Sequence, residues 1–179
     1  MSECEMALLD CMPVVSDPGW YSRISALGIG DARDLHFDSV VLLAGGRFEF
    51  ARHLRDASGN AFALIIPVYD DLSGLTDLAA FNLDTGKLGI WRGRGPMLGA
   101  ENLYGWRLGD PLVMHETPLD WLKASREGVF VIDPQRASPL LRQVEPLGVK
   151  SAIFGRRMRE AMTIRAPRIV VAESRRAAA

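Results

Sequence analysis

The sequence lacks most features that identify membrane, secreted and zinc-binding proteins. No apolar run approaches the ~18 residues of a membrane-spanning helix, and the chain begins with Glu3 and Glu5 instead of the basic segment of a secretory signal. Its two cysteines, Cys4 and Cys11, form no Cys-x-x-Cys pair and no Cys/His zinc pattern. We therefore expect a cytoplasmic protein with two reduced thiols and no membrane contact.

Common catalytic signatures are missing as well. No P-loop, Gly-x-Ser-x-Gly or Gly-x-Gly-x-x-Gly segment stands between a predicted strand and a predicted helix. Apolar sequence is plentiful: the 179 residues are 48% hydrophobic and 24% charged. This composition fits one domain of ordinary size, or a small two-lobed one.

Charge is distributed unevenly although the net charge is −1. Residues 142–179 carry nine basic and three acidic side chains, for a net charge of +6, whereas residues 1–141 sum to −7. A basic end on an acidic body indicates contact with polyanions such as nucleic acid. The alternative is an ordinary solvated helix.

The first 108 residues predict helices followed by closely spaced strands. Asp17 and Pro18 have the pattern of an N-cap and a first helical residue, and Gly28 that of a helix end; a second short helix could start at Asp31. The predicted strands are 39–45, 47–54, 61–69, 75–83 and 88–91. Strands joined by such short Gly/Asp turns favour an antiparallel meander.

After Gly109, predicted strands alternate with predicted helices. The strands are 111–115, 129–133, 149–155 and 168–172, and the helices are 117–128, 138–146 and 156–162. This alternation predicts right-handed crossovers and a parallel sheet. The predicted fold class is therefore α/β (α+β), with a β-rich antiparallel lobe over residues 1–108, a parallel α/β lobe over 109–172 and a frayed tail over 173–179.

Three segments resemble, in the same order, the catalytic region of bacterial and phage primases. Residues 65–82 are similar to its apolar strand, proline, strand, glycine turn and further strand. Residues 95–106 resemble the small-residue segment that leads into Leu-Tyr-Gly, and residues 111–133 resemble the opening of a Toprim sheet. The resemblance covers about residues 20–133, and it implies a β-rich lobe followed by a Toprim-like lobe.

The resemblance implies roles for three carboxylates. Glu116 stands where Toprim enzymes carry the glutamate of phosphate chemistry, although Thr117 replaces the usual glycine, and Asp120 matches the acid one turn later. The family's Asp-x-Asp pair, which holds magnesium, is missing: one later strand ends in the single Asp133, and the other candidate ends in Arg156 and Arg157. We therefore interpret Glu116, Asp120 and Asp133 as vestigial catalytic candidates and predict no cofactor, with Mg²⁺ needed only if catalysis remains.

Simpler interpretations of the same residues stay open. Glu116 and Asp120 could be solvated acids at a helix start, and Asp133 could cap a helix. His115 is more typical of a polar residue at a strand end than of a general base. Trp121 fits a core position better than a base-stacking one.

Two groups of basic residues are candidates for phosphate contact. Arg92 and Arg94 lie among glycines beside Trp91, whose ring could stack on a base; the alternative is a flexible connection between lobes. The second group is Lys150, Arg156, Arg157 and Arg159. If both groups face one cleft, the case for nucleic acid is stronger, because charge neutralisation supplies most of the affinity for it.

These observations favour a non-catalytic, Toprim-like, primase-related module that binds nucleic acid or nucleotide phosphate and is encoded by a mobile element. One alternative is a protein–protein interaction or regulatory domain on the same scaffold. The other is a residual Mg-dependent nucleotidyl transferase or phosphodiesterase that uses Glu116, Asp120 and Asp133.

Overall fold

The structure is a computed structural model that describes residues 1–103, 105–106 and 110–163. The helices are α1 (Glu3–Leu9), α2 (Pro18–Ala26), α3 (Pro118–Lys123), α4 (Pro134–Leu141) and α5 (Ala152–Met162). The strands are β1 (Met12–Pro13), β2 (His36–Leu43), β3 (Arg47–Phe50), β4 (Ala61–Tyr69), β5 (Leu75–Phe81), β6 (Leu88–Ile90), β7 (Met97–Leu98), β8 (Leu112–His115), β9 (Val129–Val131) and β10 (Leu147–Val149). The predicted strand 168–172 and the predicted tail 173–179 lie outside the described residues.

Local capping explains where the first helices lie. Helix α2 begins as predicted, with the Asp17 carboxylate accepting the Trp20 amide at 2.9 Å, and it ends before Gly28, whose φ is +82°. The second short helix predicted from Asp31 was wrong. The Asp31 carboxylate instead accepts the backbone amide and the guanidinium of Arg33, which stabilises a turn.

The first sheet closes into a barrel. Its strand order is β1-β2-β3-β6-β5-β4, and β4 pairs back onto β2. The predicted antiparallel meander is confirmed for β4, β5 and β6. Closure depends on a parallel pair between β3 and β6, with Arg47 opposite Ile90, and the sequence did not predict this pairing.

Strand β4 is apolar along its length because both of its faces are buried. Ala63 and Ile65 pack inside the barrel with Cys4 of α1, whereas Leu64 and Ile66 pack on the outside. Cys4 and Cys11 are free thiols in the inner core, and burial raises the pKa of both. They are accordingly packing residues of the barrel.

The second sheet has the order β10-β8-β9-β7. Strand β8 is parallel to both β9 and β10, which confirms the predicted parallel sheet, and β7 adds an antiparallel edge. Strand β7 comes from residues 97–98, which lie within the predicted first lobe, residues 1–108. The fold is thus mixed α+β, with an antiparallel-dominated barrel followed by an α/β layer, as the sequence predicted.

Two element assignments in this second layer were wrong. The helix predicted over 138–146 lies at Pro134–Leu141, because the Asp133 side chain caps it and Pro134 occupies its first turn. The segment 149–155, predicted as a strand, contains the end of β10 and the start of α5. Ser151 caps α5 through the Phe154 amide, and Phe154 and Met158 form its buried face at four-residue spacing.

A shared core joins the barrel to the second layer. Trp121 and Leu122 of α3 pack with Leu64 of the barrel and Ile24 of α2. The Trp121 ring is 1% exposed and its Nε1 donates to the Gly128 carbonyl at 3.2 Å, so the predicted core position is confirmed. Among the described residues, none of the helices has the length and apolarity needed to cross a bilayer.

Candidate functional site

The carboxyl edge of the second sheet brings Glu116 and Asp120 into one pocket. Strand β8 ends immediately before Glu116, and Asp120 lies in the first turn of α3. The Thr117 hydroxyl caps α3 by accepting the Asp120 amide at 3.1 Å, and it donates to the Asp120 carboxylate at 2.7 Å. The cavity is about 150 Å³ and is lined by Met114, His115, Glu116, Asp120, Lys150 and Ser151.

Lys150 enters this pocket from the neighbouring strand. Strand β10 runs parallel to β8 with Val149 opposite Met114, so the residues that follow the two strands emerge at the same edge of the sheet. Two acidic residues and one lysine therefore line the pocket, and Glu116 and Lys150 are exposed. Because β10 ends at Val149, the residue that follows it is Lys150, and Arg156 and Arg157 lie further on, within α5.

Asp133 does not line the pocket of Glu116 and Asp120. It follows β9 and caps α4, with its carboxylate accepting the amides of Gln135 at 3.1 Å and Arg136 at 3.2 Å. It lines a different pocket. The capping interpretation therefore accounts for the position of Asp133.

His115 is buried behind the acid pocket. Its Nε2 lies 2.9 Å from the Glu127 carbonyl, and because a carbonyl can only accept, this nitrogen carries the proton. The Nδ1 atom has no hydrogen-bond partner among the described residues. The side chain is 4% exposed, so it is a buried strand-end residue and not a polar edge residue.

The donor set does not fit the magnesium site that the resemblance implies. Within residues 1–103, 105–106 and 110–163, no group of three or more His, Cys, Asp or Glu side chains is arranged to hold a metal ion. Magnesium binds through several oxygens in near-octahedral geometry. Here one of the two pocket carboxylates is engaged by Thr117, and Lys150 places a positive charge in the same cavity.

The segment 91–95 is wrapped around a buried carboxylate. Asp77 is 0% exposed and accepts the backbone amides of Arg92 at 2.8 Å, Arg94 at 2.5 Å and Gly95 at 3.4 Å. Its neighbour Leu78 donates a further amide at 2.8 Å. The segment is therefore a hydrogen-bonded loop rather than a loose connection between lobes.

The arrangement of this loop corrects the proposed base-stacking role of Trp91. The ring is 3% exposed, and its Nε1 donates to the Glu49 carboxylate at 2.9 Å. Partial burial opposes ionisation of Glu49, but hydrogen bonds from His53 and Trp91 outweigh it and lower the pKa of this carboxyl. A base cannot reach a ring that is already packed and bonded in this way.

The two arginines of the loop differ in their environments. Arg92 forms an ion pair with Glu3, and its guanidinium lies 3.9 Å from the centroid of the Trp91 ring. Arg94 is exposed. Of the two, Arg94 is the one placed to meet a ligand.

The basic residues of α5 also separate. Arg156 and Arg159 line a cavity of about 850 Å³ between α4 and α5. Arg142 lies on its wall as well. Arg157 instead lies over the Phe154 ring, 5.4 Å from its centroid.

Two further arginines, which the sequence did not suggest, hold the 91–95 loop. Arg47 of β3 donates through Nε to the carbonyls of Ile90 at 3.0 Å and Trp91 at 3.1 Å. Arg136 of α4 donates to the carbonyls of Gly93 and Arg94, the latter at 2.6 Å. Neither arginine stands in a recognisable motif, and the only sequence signal is that Arg47 follows the Gly45-Gly46 turn.

Comparison with known proteins supports the fold assignment. The sequence matches no protein-family model. It also has no significant sequence match among curated proteins. The fold is similar to that in a crystal structure of the zinc-binding and RNA polymerase domains of the Aquifex aeolicus primase, with a TM-score of 0.54 and 11% sequence identity over 76% of this chain.

The shared part amounts to 43% of that primase chain, so the present chain spans less than half of its length. At this level of identity the similarity concerns the fold alone. The chain therefore has a fold similar to part of that primase structure.

Proposed function

We propose that the chain is a Toprim-like, primase-related module that binds nucleic acid or nucleotide phosphate and does not catalyse phosphoryl transfer. The observation that carries the proposal is Lys150 in the pocket of Glu116 and Asp120. The resemblance calls for a pair of acids at the end of a later strand of this sheet. Of the two strands beside β8, β10 is followed by Lys150, and β9 is followed by the single acid Asp133.

This exchange of charge changes how a phosphate would be held. Acids bind phosphate through a bridging metal ion, whereas an ammonium or guanidinium group binds it directly. The larger cavity nearby adds Arg142, Arg156 and Arg159. Direct, salt-sensitive binding of a polyanion is therefore the chemistry that this side of the molecule supports best.

Replacing Arg156 and Arg159 together with alanine should weaken binding of a fluorescein-labelled single-stranded oligonucleotide by about tenfold. Losing two phosphate contacts should also reduce the slope of log K against log salt by about 1.4. The measurement is fluorescence anisotropy with DNA and RNA, single- and double-stranded, at low and physiological salt, with and without magnesium.

The matched control is Arg157→Ala, because this arginine lies on the same helix but packs over Phe154. It should change the affinity by less than about threefold. Equal losses of oligonucleotide affinity in Arg157→Ala and in the double variant would contradict a specific phosphate-binding face. No binding to any nucleic acid at low salt would favour the protein-interaction alternative.

Incubation with nucleoside triphosphates, template and Mg²⁺ or Mn²⁺ should give no product, and Glu116→Gln, which removes a negative charge from the pocket of Lys150, should not weaken oligonucleotide binding. The reason is that the acid pocket lacks the oxygen ligands of a metal site. Denaturing gel electrophoresis of labelled products checks this. Metal-dependent turnover that disappears in Glu116→Gln would overturn the non-catalytic part of the proposal.

A further inference from the structure

A second pocket lies where the barrel meets the second layer, away from Glu116 and Asp120. It measures about 440 Å³, within the range of small-molecule sites. Its walls come from the β2–β3 turn and β6 on one side and from β9 and α4 on the other. Of the residues that line it, Asp133 and the loop that contains Gly93 and Gly95 were candidates from the sequence.

Two arginines line this pocket from opposite walls. Arg47 belongs to the barrel and Arg136 to α4, and both line the cavity. Each is fixed by neutral carbonyls of the 90–94 segment, and within the described part of the chain neither forms an ion pair with a carboxylate. The positive charges are therefore held in place without being neutralised by an acid.

Asp133 is the acid that lines the same pocket. Its carboxylate accepts the first amides of α4. Because two arginines and one acid line the cavity, its charged side chains have a net positive charge. An anion entering the pocket would be attracted by both arginines, whose planar donors match the geometry of phosphate oxygens.

The pocket also offers room and an apolar wall. Gly45 and Gly46 line it with φ values of +73° and +71°, and a Cβ atom added to either would meet nothing within 4 Å. On another side it is lined by Leu88, Ile90 and Phe130. A ligand with a phosphate at one end and an apolar, flat group at the other would use both features.

We infer that this pocket binds a phosphate group of a nucleotide, held between Arg47 and Arg136. The choice of a nucleotide among phosphate esters rests on the proposed function. The pocket is separate from the pocket of Lys150 and from the cavity of Arg156 and Arg159. Nucleotide binding here and oligonucleotide binding at Arg156 and Arg159 can therefore be tested independently.

The test changes the charge beside the arginines without removing them, because both hold the 90–94 segment. Gly45→Asp adds a carboxylate in open space on the pocket wall, and Gly45→Asn adds a neutral side chain of the same shape. Both residue types tolerate a left-handed backbone better than other side chains do. Circular dichroism and thermal unfolding should show the two variants to be equally folded.

Binding is measured by anisotropy of ATP and GTP labelled on the ribose with a methylanthraniloyl group, with inorganic phosphate as competitor. Gly45→Asp should weaken nucleotide binding at least tenfold relative to Gly45→Asn. Unlabelled oligonucleotides with a 5′-phosphate or a 5′-hydroxyl are added as competitors. Competition by the 5′-phosphate form alone would show that the pocket takes the phosphate at the end of a strand.

Equal nucleotide affinity in Gly45→Asp and Gly45→Asn, or no nucleotide binding in the unmodified chain, would overturn the inference. Either result leaves the proposed function intact if labelled oligonucleotide still binds through Arg156 and Arg159. Conversely, nucleotide binding that Gly45→Asp weakens, in a chain that binds no oligonucleotide, would support this pocket and contradict the oligonucleotide-binding face of Arg156 and Arg159.

Discussion

Replacing Asp77 with alanine should destabilise the protein by about 3 kcal/mol or more. The side chain is fully buried and its carboxylate accepts the amides of Leu78, Arg92 and Arg94 at 2.8 Å or less. Alanine would leave these donors, one buried and two partly buried, without their acceptor, and each buried donor left unpaired costs about 1–3 kcal/mol. Urea unfolding followed by tryptophan fluorescence measures the change in free energy of unfolding.

The matched control is Asp56→Ala, since Asp56 is exposed and accepts one amide, from Ser58 at 2.9 Å. Its loss should cost less than about 1 kcal/mol. Asp77→Asn should fall between wild type and Asp77→Ala, because its amide offers one acceptor oxygen in place of two. A loss at Asp77 no larger than that at Asp56 would mean that this carboxylate does not organise the 91–95 loop.

Much of the fold could be predicted from local signals. Strand β4 was predicted with its observed bounds because both of its faces are buried, which makes its sequence continuously apolar. Helix α2 was predicted from its Asp17 cap and Gly28 end. Helix α1 was not predicted, although Ser2 and Glu5 form a capping box at its start.

Helix α5 was misread for a different reason. Val149 belongs to a short strand, and Gly155 follows soon after, so the apolar residues between them resembled one strand ended by glycine. The Ser151 cap was the signal that marks the true boundary. This boundary matters for the candidate site, because it identifies Lys150 as the residue that follows β10, one of the two strands next to β8.

Long-range pairing explains what the sequence could not supply. The barrel closes through one parallel bridge between Arg47 and Ile90, residues that are far apart in the chain. Arg47 and Arg136 reach the same loop from different layers. Neither position has a motif around it, so their convergence follows only from the completed fold, whereas Glu116 and Asp120 are close in sequence and were predicted together.

Replacing Gly128 with alanine should destabilise the protein by more than about 3 kcal/mol. Gly128 has a φ of +75°, and an added Cβ would lie 2.3 Å from the backbone oxygen of Val113 in β8. Because that atom belongs to the backbone of the neighbouring parallel strand, it cannot move aside as a flexible side chain would. Urea denaturation of Gly128→Ala and of a control variant measures the loss in free energy of unfolding.

Gly59→Ala is the matched control, since Gly59 has a similar φ of +79° but open space within 4 Å of its added Cβ. It should lose only about 1–2 kcal/mol, the cost of a left-handed alanine, so the difference between the variants isolates the contact with Val113. The Gly128 carbonyl also accepts Asn102 Nδ2 at 2.7 Å and Trp121 Nε1 at 3.2 Å. Displacing β9 from β8 would therefore disturb the core around Trp121 and the edge that carries Glu116. Equal losses of stability in Gly128→Ala and Gly59→Ala would show that this close approach does not hold the strands in place.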